Sequence, residues 1–372
     1  MRSNSRSDPD MTAYWLMFLF PLLGVFAPAK FSGVLRYLVW GFWALITILF
    51  IGLSSEIGGD WSNYLDHYIR IQEDGFHVGK GLGYGFVLWL STLVDGGIYF
   101  VNILCAVLFT VALVVFCWRQ PMPWLAYVVA TPYLISVIAI GFTRQSVALA
   151  FLLFALLCLG KNKYWKFCFL LLVGACFHQS VAVMAPLALL TNQRAVLSWA
   201  RSVFLLRAKE PSQLIVVFGI IGSLTLAFVY AMFVYLSPMV EYYIFRDQWS
   251  SSGGRIRALM NAVPGAIFLL SRKWWSRTGE VNSGIWVWLA LASIASLFFV
   301  GYFSLAVDRI SFYLIPLQLY VWSRVPFLFS DSVIRGGAVV GICLTYAAAL
   351  FVWLNFADHA YFWVPYQTVL FN

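Results

Sequence analysis

Charge is what this chain has least of. Asp, Glu, Lys and Arg make up 10% of its 372 residues and apolar side chains 62%, too little polar surface to coat a soluble globule. That scarcity excludes a water-soluble enzyme or binding module and leaves an integral membrane protein. Period-two alternation is missing too, which excludes an outer-membrane-type barrel, whereas apolar runs long enough for helical spans of a core about 30 Å thick recur along the chain. Cysteine is sparse: six residues (Cys105, Cys117, Cys158, Cys168, Cys176 and Cys343) fall within or at the ends of apolar runs, without CxxC spacing. Buried inert thiols are expected, not disulfides or a zinc site. The four histidines form no ligand set, and no HExxH, P-loop, GxSxG or dinucleotide fingerprint occurs. Hydrolysis, nucleotide use and redox chemistry therefore lack support, and neither metal nor cofactor is expected. Convincing internal repeats and low-complexity segments are lacking as well.

The apolar runs divide an all-α, polytopic chain, read as one membrane domain over 1–372, into about twelve transmembrane or half-spanning helices. They lie near 11–28, 34–53, 97–118, 122–140, 146–160, 166–177, 181–190, 214–236, 258–271, 285–302, 304–322 and 334–355. The net charge of +9 is not spread evenly. Placing the loops after odd-numbered spans inside collects 15 of 24 basic residues there but only 3 of 15 acids, so both termini are expected outside. The excess follows the membrane, and no nucleic-acid partner is expected. Fusing 166–177 with 181–190 would leave 10 basic residues inside and 14 outside, which argues for two pieces. Two outer segments, about 54–96 and 237–257, mix most of the acids with aromatics and glycines. The basic inner segment 191–213 reads as a surface helix on anionic lipid.

The organising stretch is Gly141–Ser180. Its two short apolar pieces are joined by a basic hairpin (Lys161, Lys163, Lys166), with Arg144 before the first piece and His178 after the second. With the hairpin on one side of the membrane, Arg144 and His178 return together on the other, where neither is cheap to hold unless something uses it. Arg255, Arg257 and Arg309 also fall at the outer edge, against the positive-inside bias. Guanidinium forks suit a membrane-bound pyrophosphate; each arginine also has a plainer role open to it, snorkelling to lipid phosphate or pairing locally, as Asp308 with Arg309. Asp60 is either a carboxylate facing substrate or a helix N-cap. Trp61, Tyr64 and Tyr68 either stack on sugars or form an interfacial belt. His178, followed by Gln179 and Ser180, is either a base or a hydrogen-bonded residue at a helix junction.

At these residues the chain resembles a family. GFTRQSVALA, the basic hairpin and FHQSVAVMAPL are similar to the signature of Wzy-type O-antigen and exopolysaccharide polymerases, in the EpsG-like branch. GGDWSNYLDHY, SSGGRIRALMNAVP, DRISFYLIPLQ and the terminal WVPY resemble the family's other landmarks, in order. The resemblance implies a glycosyltransferase of GT-C-like architecture in the bacterial inner membrane, working on its periplasmic face. Such an enzyme moves a growing glycan from undecaprenyl pyrophosphate to a hydroxyl of the next lipid-linked repeat unit, among membrane lipid and with a chain-length regulator as a further partner, without nucleotide sugar or metal. Arg144, Arg255 and Arg309, with Arg257, would hold the pyrophosphate; Gln145, Tyr64 and Trp61 would contact substrate. His178, ahead of Asp60, would accept the acceptor's proton. A ligase of the same compartment and a twelve-span flippase or secondary transporter are the alternatives, the last expected to show paired repeats.

The charge asymmetry makes a topological expectation. In a cysteine-free background, single cysteines at Asn162 and Gln193 should react only with reagents that reach the cytoplasm, and cysteines at Ser62 and Ser251 should react from outside. Outside labelling at Asn162 would separate Arg144 and His178 from the outer face.

Overall fold

The structure is a computed structural model that describes residues 10–27, 32–76, 81–191, 253–278 and 284–370. The expected surface helix at 191–213, the span at 214–236 and most of the outer segment 237–257 lie outside the described residues. Every regular element described is helical, apart from an isolated bridge between Ser54 and Thr368.

The centre of the bundle is the expected hairpin. Helices α1 (Thr12–Phe26), α2 (Gly33–Gly52), α3 (Trp61–Asp74), α4 (Leu82–Leu93), α5 (Gly97–Trp118) and α6 (Pro123–Ala130) precede it, and α7 (Thr143–Leu159) and α8 (Tyr164–Phe177) form it. Twelve of the 17 residues of α7 are buried, as befits a helix apolar all round. The turn reverses at Asn162, held in the left-handed region at φ 57°, and Lys163 N–H closes it on Cys158 O at 2.9 Å. Gly174 lets α8 lie close: a Cβ there would meet the Ala148 carbonyl at 3.3 Å. Beyond Phe177 the chain breaks, with His178 extended (φ −150°, ψ 113°) and a 3₁₀ helix over Gln179–Met184 before the short α9 (Leu187–Thr191). The two-piece reading of 166–190 therefore matches the local structure.

The remainder comprises α10 (Gly254–Leu270), α11 (Gly284–Phe299), α12 (Ser304–Ser311), α13 (Ile315–Trp322) and α14 (Ser332–Phe356). Where one helix is expected over 304–322, a 3₁₀ turn at Phe312–Leu314 separates α12 from α13. Pro316 offers no N–H and its ring collides with the carbonyl four residues back, at Phe312. Likewise α6 opens at Thr131–Pro132 into a nine-residue π-helix, Thr131–Ala139, and the Ser136 hydroxyl donates to Thr131 O at 2.9 Å.

The segment 54–96, expected as a loop, holds two helices. In α3 the charged residues Asp66, Arg70 and Glu73 face outward while Tyr64 and Ile71 are buried. The apolar α4 packs with α3, the first half of α5, Val147 and Phe177 in one cluster. Its Gly81, at φ +139°, lies so close to Cys176 that a Cβ would come within 2.8 Å of the carbonyl oxygen. Twelve residues of helix rise only about 18 Å, too short to signal a span.

Chain ends and the α2–α3 link meet at one end of the bundle. Ser55 N–H donates to Gln367 O (3.0 Å), Gly58 N–H to Phe362 O (2.9 Å) and Val369 N–H to Leu53 O (3.0 Å); the Tyr14 hydroxyl donates to Trp363 O (2.7 Å) and that of Tyr366 to Phe50 O (2.7 Å). Arg36 over the Trp118 ring (4.1 Å) and Arg324, donating to Gln120 Oε1 (2.6 Å), mark the opposite, basic end. Three described helices, α2, α5 and α14, are long and apolar enough to cross a membrane, and seven more apolar helices have 10–17 residues. On α14, Val333, Leu344 and Phe356 are exposed, a face that suits lipid. The chain is a polytopic helical membrane protein.

Gly58 tests the packing of the site end. It sits at φ +94°, and a Cβ there would lie 2.6 Å from Gly141 Cα. Gly58→Ala should destabilise the protein by about 1–3 kcal/mol, read as a lower melting temperature in detergent. Gly341→Ala, on a helix with nothing within 4 Å of the new Cβ, should be neutral or slightly stabilising.

Candidate functional site

Four segments converge at the end where the chain termini meet: the start of α3, the start of α7, the junction after α8 and the end of α12. Arg144 enters in the first turn of α7. A cation there opposes the helix dipole, so the N-terminus and the guanidinium together favour an anion. The Tyr64 hydroxyl lies against Arg144. Asp60, Asn63, Tyr64, His67, Tyr84 and Arg144 line an open cleft. Asp60 stands at the N-cap position of α3 but makes no capping bond; its carboxylate accepts instead from Asn63 Nδ2 at 3.3 Å and faces the cleft.

His178 lies beyond the last turn of α8, on the side of Arg144. Its Nδ1 is 2.6 Å from Ser180 Oγ and 3.3 Å from the Tyr313 hydroxyl, and those two oxygens are 2.8 Å apart. Tyr313 lies beside Gln145. Gln145, 2% exposed, donates to Arg309 O at 3.1 Å and accepts from the Arg309 guanidinium at 3.5 Å. Two hydrogen-bonded groups, His178–Ser180–Tyr313 and Gln145–Arg309, therefore lie side by side, and the Arg309 guanidinium lies 4.8 Å from the Phe142 ring. Burial first, then the positive charges of Arg144 and Arg309, pull the His178 pKa well below the usual imidazole range, so the ring is neutral at physiological pH.

The structure thus brings together Arg144, Gln145, His178, Arg309, Asp60 and Tyr64. Arg257 joins from α10, but as half of an ion pair: its Nε donates to Asp308 Oδ1, and its side chain is hydrogen-bonded to Tyr133. Asp308 therefore pairs with Arg257 and not with its neighbour Arg309, because in a helix successive residues point about 100° apart. Arg255, in the same first turn of α10, is exposed, and the structure leaves it outside the group. Trp61 packs against Tyr99, ring centroids 6.0 Å apart, and with the half-buried Tyr68 flanks the α3–α4–α5 cluster.

Tyr313, Ser180, Tyr84 and Tyr133 are the site residues that sequence reasoning did not single out. Ser180 was visible as a polar interruption beside His178. The tyrosines carried no signal in a chain with 19 of them; only the return of α12 to the α7–α8 junction gives Tyr313 its place.

An apolar helical bundle with arginines, a carboxylate and a neutral imidazole gathered at one end defines a polytopic helical membrane protein with a polar, partly charged cluster at that end. The profile of the EpsG family matches residues 37–368, and the chain belongs to that family, whose members are relatives of Wzy-type polymerases. No curated protein and no solved structure matches the chain.

The ion pair carries an energetic expectation. Asp308→Asn removes the carboxylate from a largely buried Arg257 and should lower stability by about 3 kcal/mol, seen as a lower melting temperature. Asp308→Asn combined with Arg257→Gln should recover most of the loss. Equal loss in single and double variants would mean that the pair does not hold α10 to α12.

Proposed function

We propose that this protein is a polysaccharide polymerase: at the outer face of the bacterial inner membrane it transfers a growing glycan from undecaprenyl pyrophosphate to a hydroxyl of a lipid-linked repeat unit. The observation that carries the reading is the pairing of Arg144, at a helix N-terminus, with Arg309 across a neutral histidine. Membership of the EpsG family supports an enzyme of polysaccharide assembly in general, and the arginine geometry supports a pyrophosphate leaving group in particular.

The hardest part of such a transfer is charge developing on the bridging oxygen as the glycosidic bond breaks, and preorganised donors aimed there lower that barrier most. The guanidinium and backbone of Arg144 and the guanidinium of Arg309 are such donors. The acceptor hydroxyl must lose its proton as it attacks. When Nδ1–H of His178 donates to Ser180 and the Ser180 hydroxyl donates to Tyr313, the Nε2 lone pair is left to take that proton. Burial first, and then the two arginines, keep the ring neutral and also weaken it as a base. A bound pyrophosphate offsets the arginines' share of that effect. Asp60 is the second candidate base, because its carboxylate lines the cleft beside Arg144.

A ligase would share this donor, and a flippase would share the lipid. Genetics separates them: loss of a polymerase leaves single capped repeat units, loss of a ligase leaves unattached polymer, and loss of a flippase traps repeats inside. In cells carrying the protein as their only polymerase, Arg144→Lys and Arg309→Ala should each cut polymer formation by about 10²-fold or more at normal protein level, and Lys163→Ala at the opposite end should be silent. His178→Gln should slow polymerisation at least about 10²-fold and Asp60→Asn much less. The reverse ranking would move the base to Asp60, and near-normal chain length in Arg144→Lys would remove the bidentate pyrophosphate site.

A further inference from the structure

One polar group at the Arg144 cleft has no part in the proposed transfer and no partner in the described fold. The Tyr84 hydroxyl is buried without a hydrogen bond among the described residues, although its side chain lines the cleft with Asp60, Asn63, Tyr64, His67 and Arg144. Tyr84 is 1% exposed, and most buried hydroxyls are satisfied. An orphaned hydroxyl costs stability that a phenylalanine of the same shape would not. Packing alone thus favours phenylalanine at this position, and the hydroxyl needs another reason to be there.

Packing holds the ring in place. Tyr84 lies in the first turn of α4, within the stretch Gly81-Leu82-Gly83-Tyr84-Gly85. A Cβ on Gly83 would meet the Phe177 ring at 2.7 Å, and one on Gly81 the Cys176 carbonyl at 2.8 Å. Those two glycines therefore let the turn lie directly on the end of α8, just before His178. The Tyr84 ring then packs on Tyr64, centroids 5.5 Å apart, in the same apolar cluster as Cys105, Val147 and Phe177. With the ring already fixed, the hydroxyl loses little further freedom when it binds something.

The room in front of it is small. The cleft has a volume of about 30 Å³, space for about two groups the size of a water molecule, and it opens where Asn63 is exposed and Asp60 half-buried. A sugar ring does not fit there, and of a phosphate group only an oxygen does, the rest staying at the open mouth. Such an oxygen meets the guanidinium of Arg144 in the same wall. A hydroxyl suits it as second ligand, because it adds a hydrogen bond to the anion without another charge to bury beside Arg144. We propose that the Tyr84 hydroxyl is a ligand of the lipid pyrophosphate, donating a hydrogen bond to the anionic oxygen that Arg144 holds at the inner end of the cleft. The identity of the anion rests on the polymerase reading; the orphaned hydroxyl and the small volume set how much of it enters. Tyr84 keeps its proton in this role and steadies the leaving group as charge develops on it.

The test titrates purified full-length protein in detergent by native mass spectrometry, with undecaprenyl pyrophosphate and, separately, dioleoyl phosphatidylglycerol, for wild type, Tyr84→Phe and Arg144→Ala. Wild type should bind undecaprenyl pyrophosphate, and Tyr84→Phe should bind it about ten-fold more weakly, the scale of one hydrogen bond to a charged group. Phosphatidylglycerol binding should not change, and the lipid-free melting temperature of Tyr84→Phe should equal or exceed that of wild type. Pyrophosphate binding lost in Arg144→Ala but intact in Tyr84→Phe would overturn the contact, leave the donor reading standing and give the hydroxyl only water to meet. A lower melting temperature in Tyr84→Phe would overturn it by showing that the hydroxyl holds the fold, and equal weakening for phosphatidylglycerol would do so by making the site one for any lipid phosphate. The donor reading fails separately, and takes the contact with it, if wild type does not bind undecaprenyl pyrophosphate or binds it no better than Arg144→Ala.

Discussion

Holding guanidinium groups at one end of an apolar bundle is the constraint on which the rest of this structure depends. Each such charge costs several kcal/mol to withdraw from water unless it is matched. The chain meets that cost in two ways. Arg257 is given a carboxylate, Asp308, from the neighbouring helix. Arg144 and Arg309 are instead surrounded by hydrogen-bonding neutral groups, Tyr64 and Gln145 among them, an arrangement that tolerates the cations while favouring an anion. The glycines of the site end serve the same constraint: Gly58 against Gly141, and Gly141 against Trp363, let the α2–α3 link and the C-terminal segment close over the start of α7.

The cleft under Arg144 is open and sets the guanidinium beside the Asp60 carboxylate, and on the proposed reading it receives the pyrophosphate. On the proposed reading, the nearness of His178 to Arg144 and Arg309 couples donor binding to acceptor activation through charge.

Much of this was legible in the sequence because it is local. The hairpin turn, the break at His178 and the return of Arg144 to the same end follow from short apolar pieces flanked by polar residues, and the charge asymmetry separates the two ends of the bundle. What was not legible depends on tertiary packing. The helix α4 is too short and glycine-rich to signal a buried element, yet it packs against Phe177 and the first half of α5. Arg257 could not be told from Arg255 by type or spacing; one turns inward to Asp308 and the other to the exposed flank. Tyr313 becomes part of the site only because Pro316 breaks the helix after Arg309 and turns α12 toward Ser180.

The central claim is that the arginine end supports glycan transfer with a lipid pyrophosphate as leaving group. The most direct measurement places the purified protein in liposomes with lipid-linked repeat units as the only sugar source, and counts undecaprenyl pyrophosphate released against glycosidic bonds formed. The account predicts one molecule released per bond, with polymer made in the absence of nucleotide sugar. Polymer growth without matching release of the lipid pyrophosphate, or growth only when nucleotide sugar is added, would contradict it.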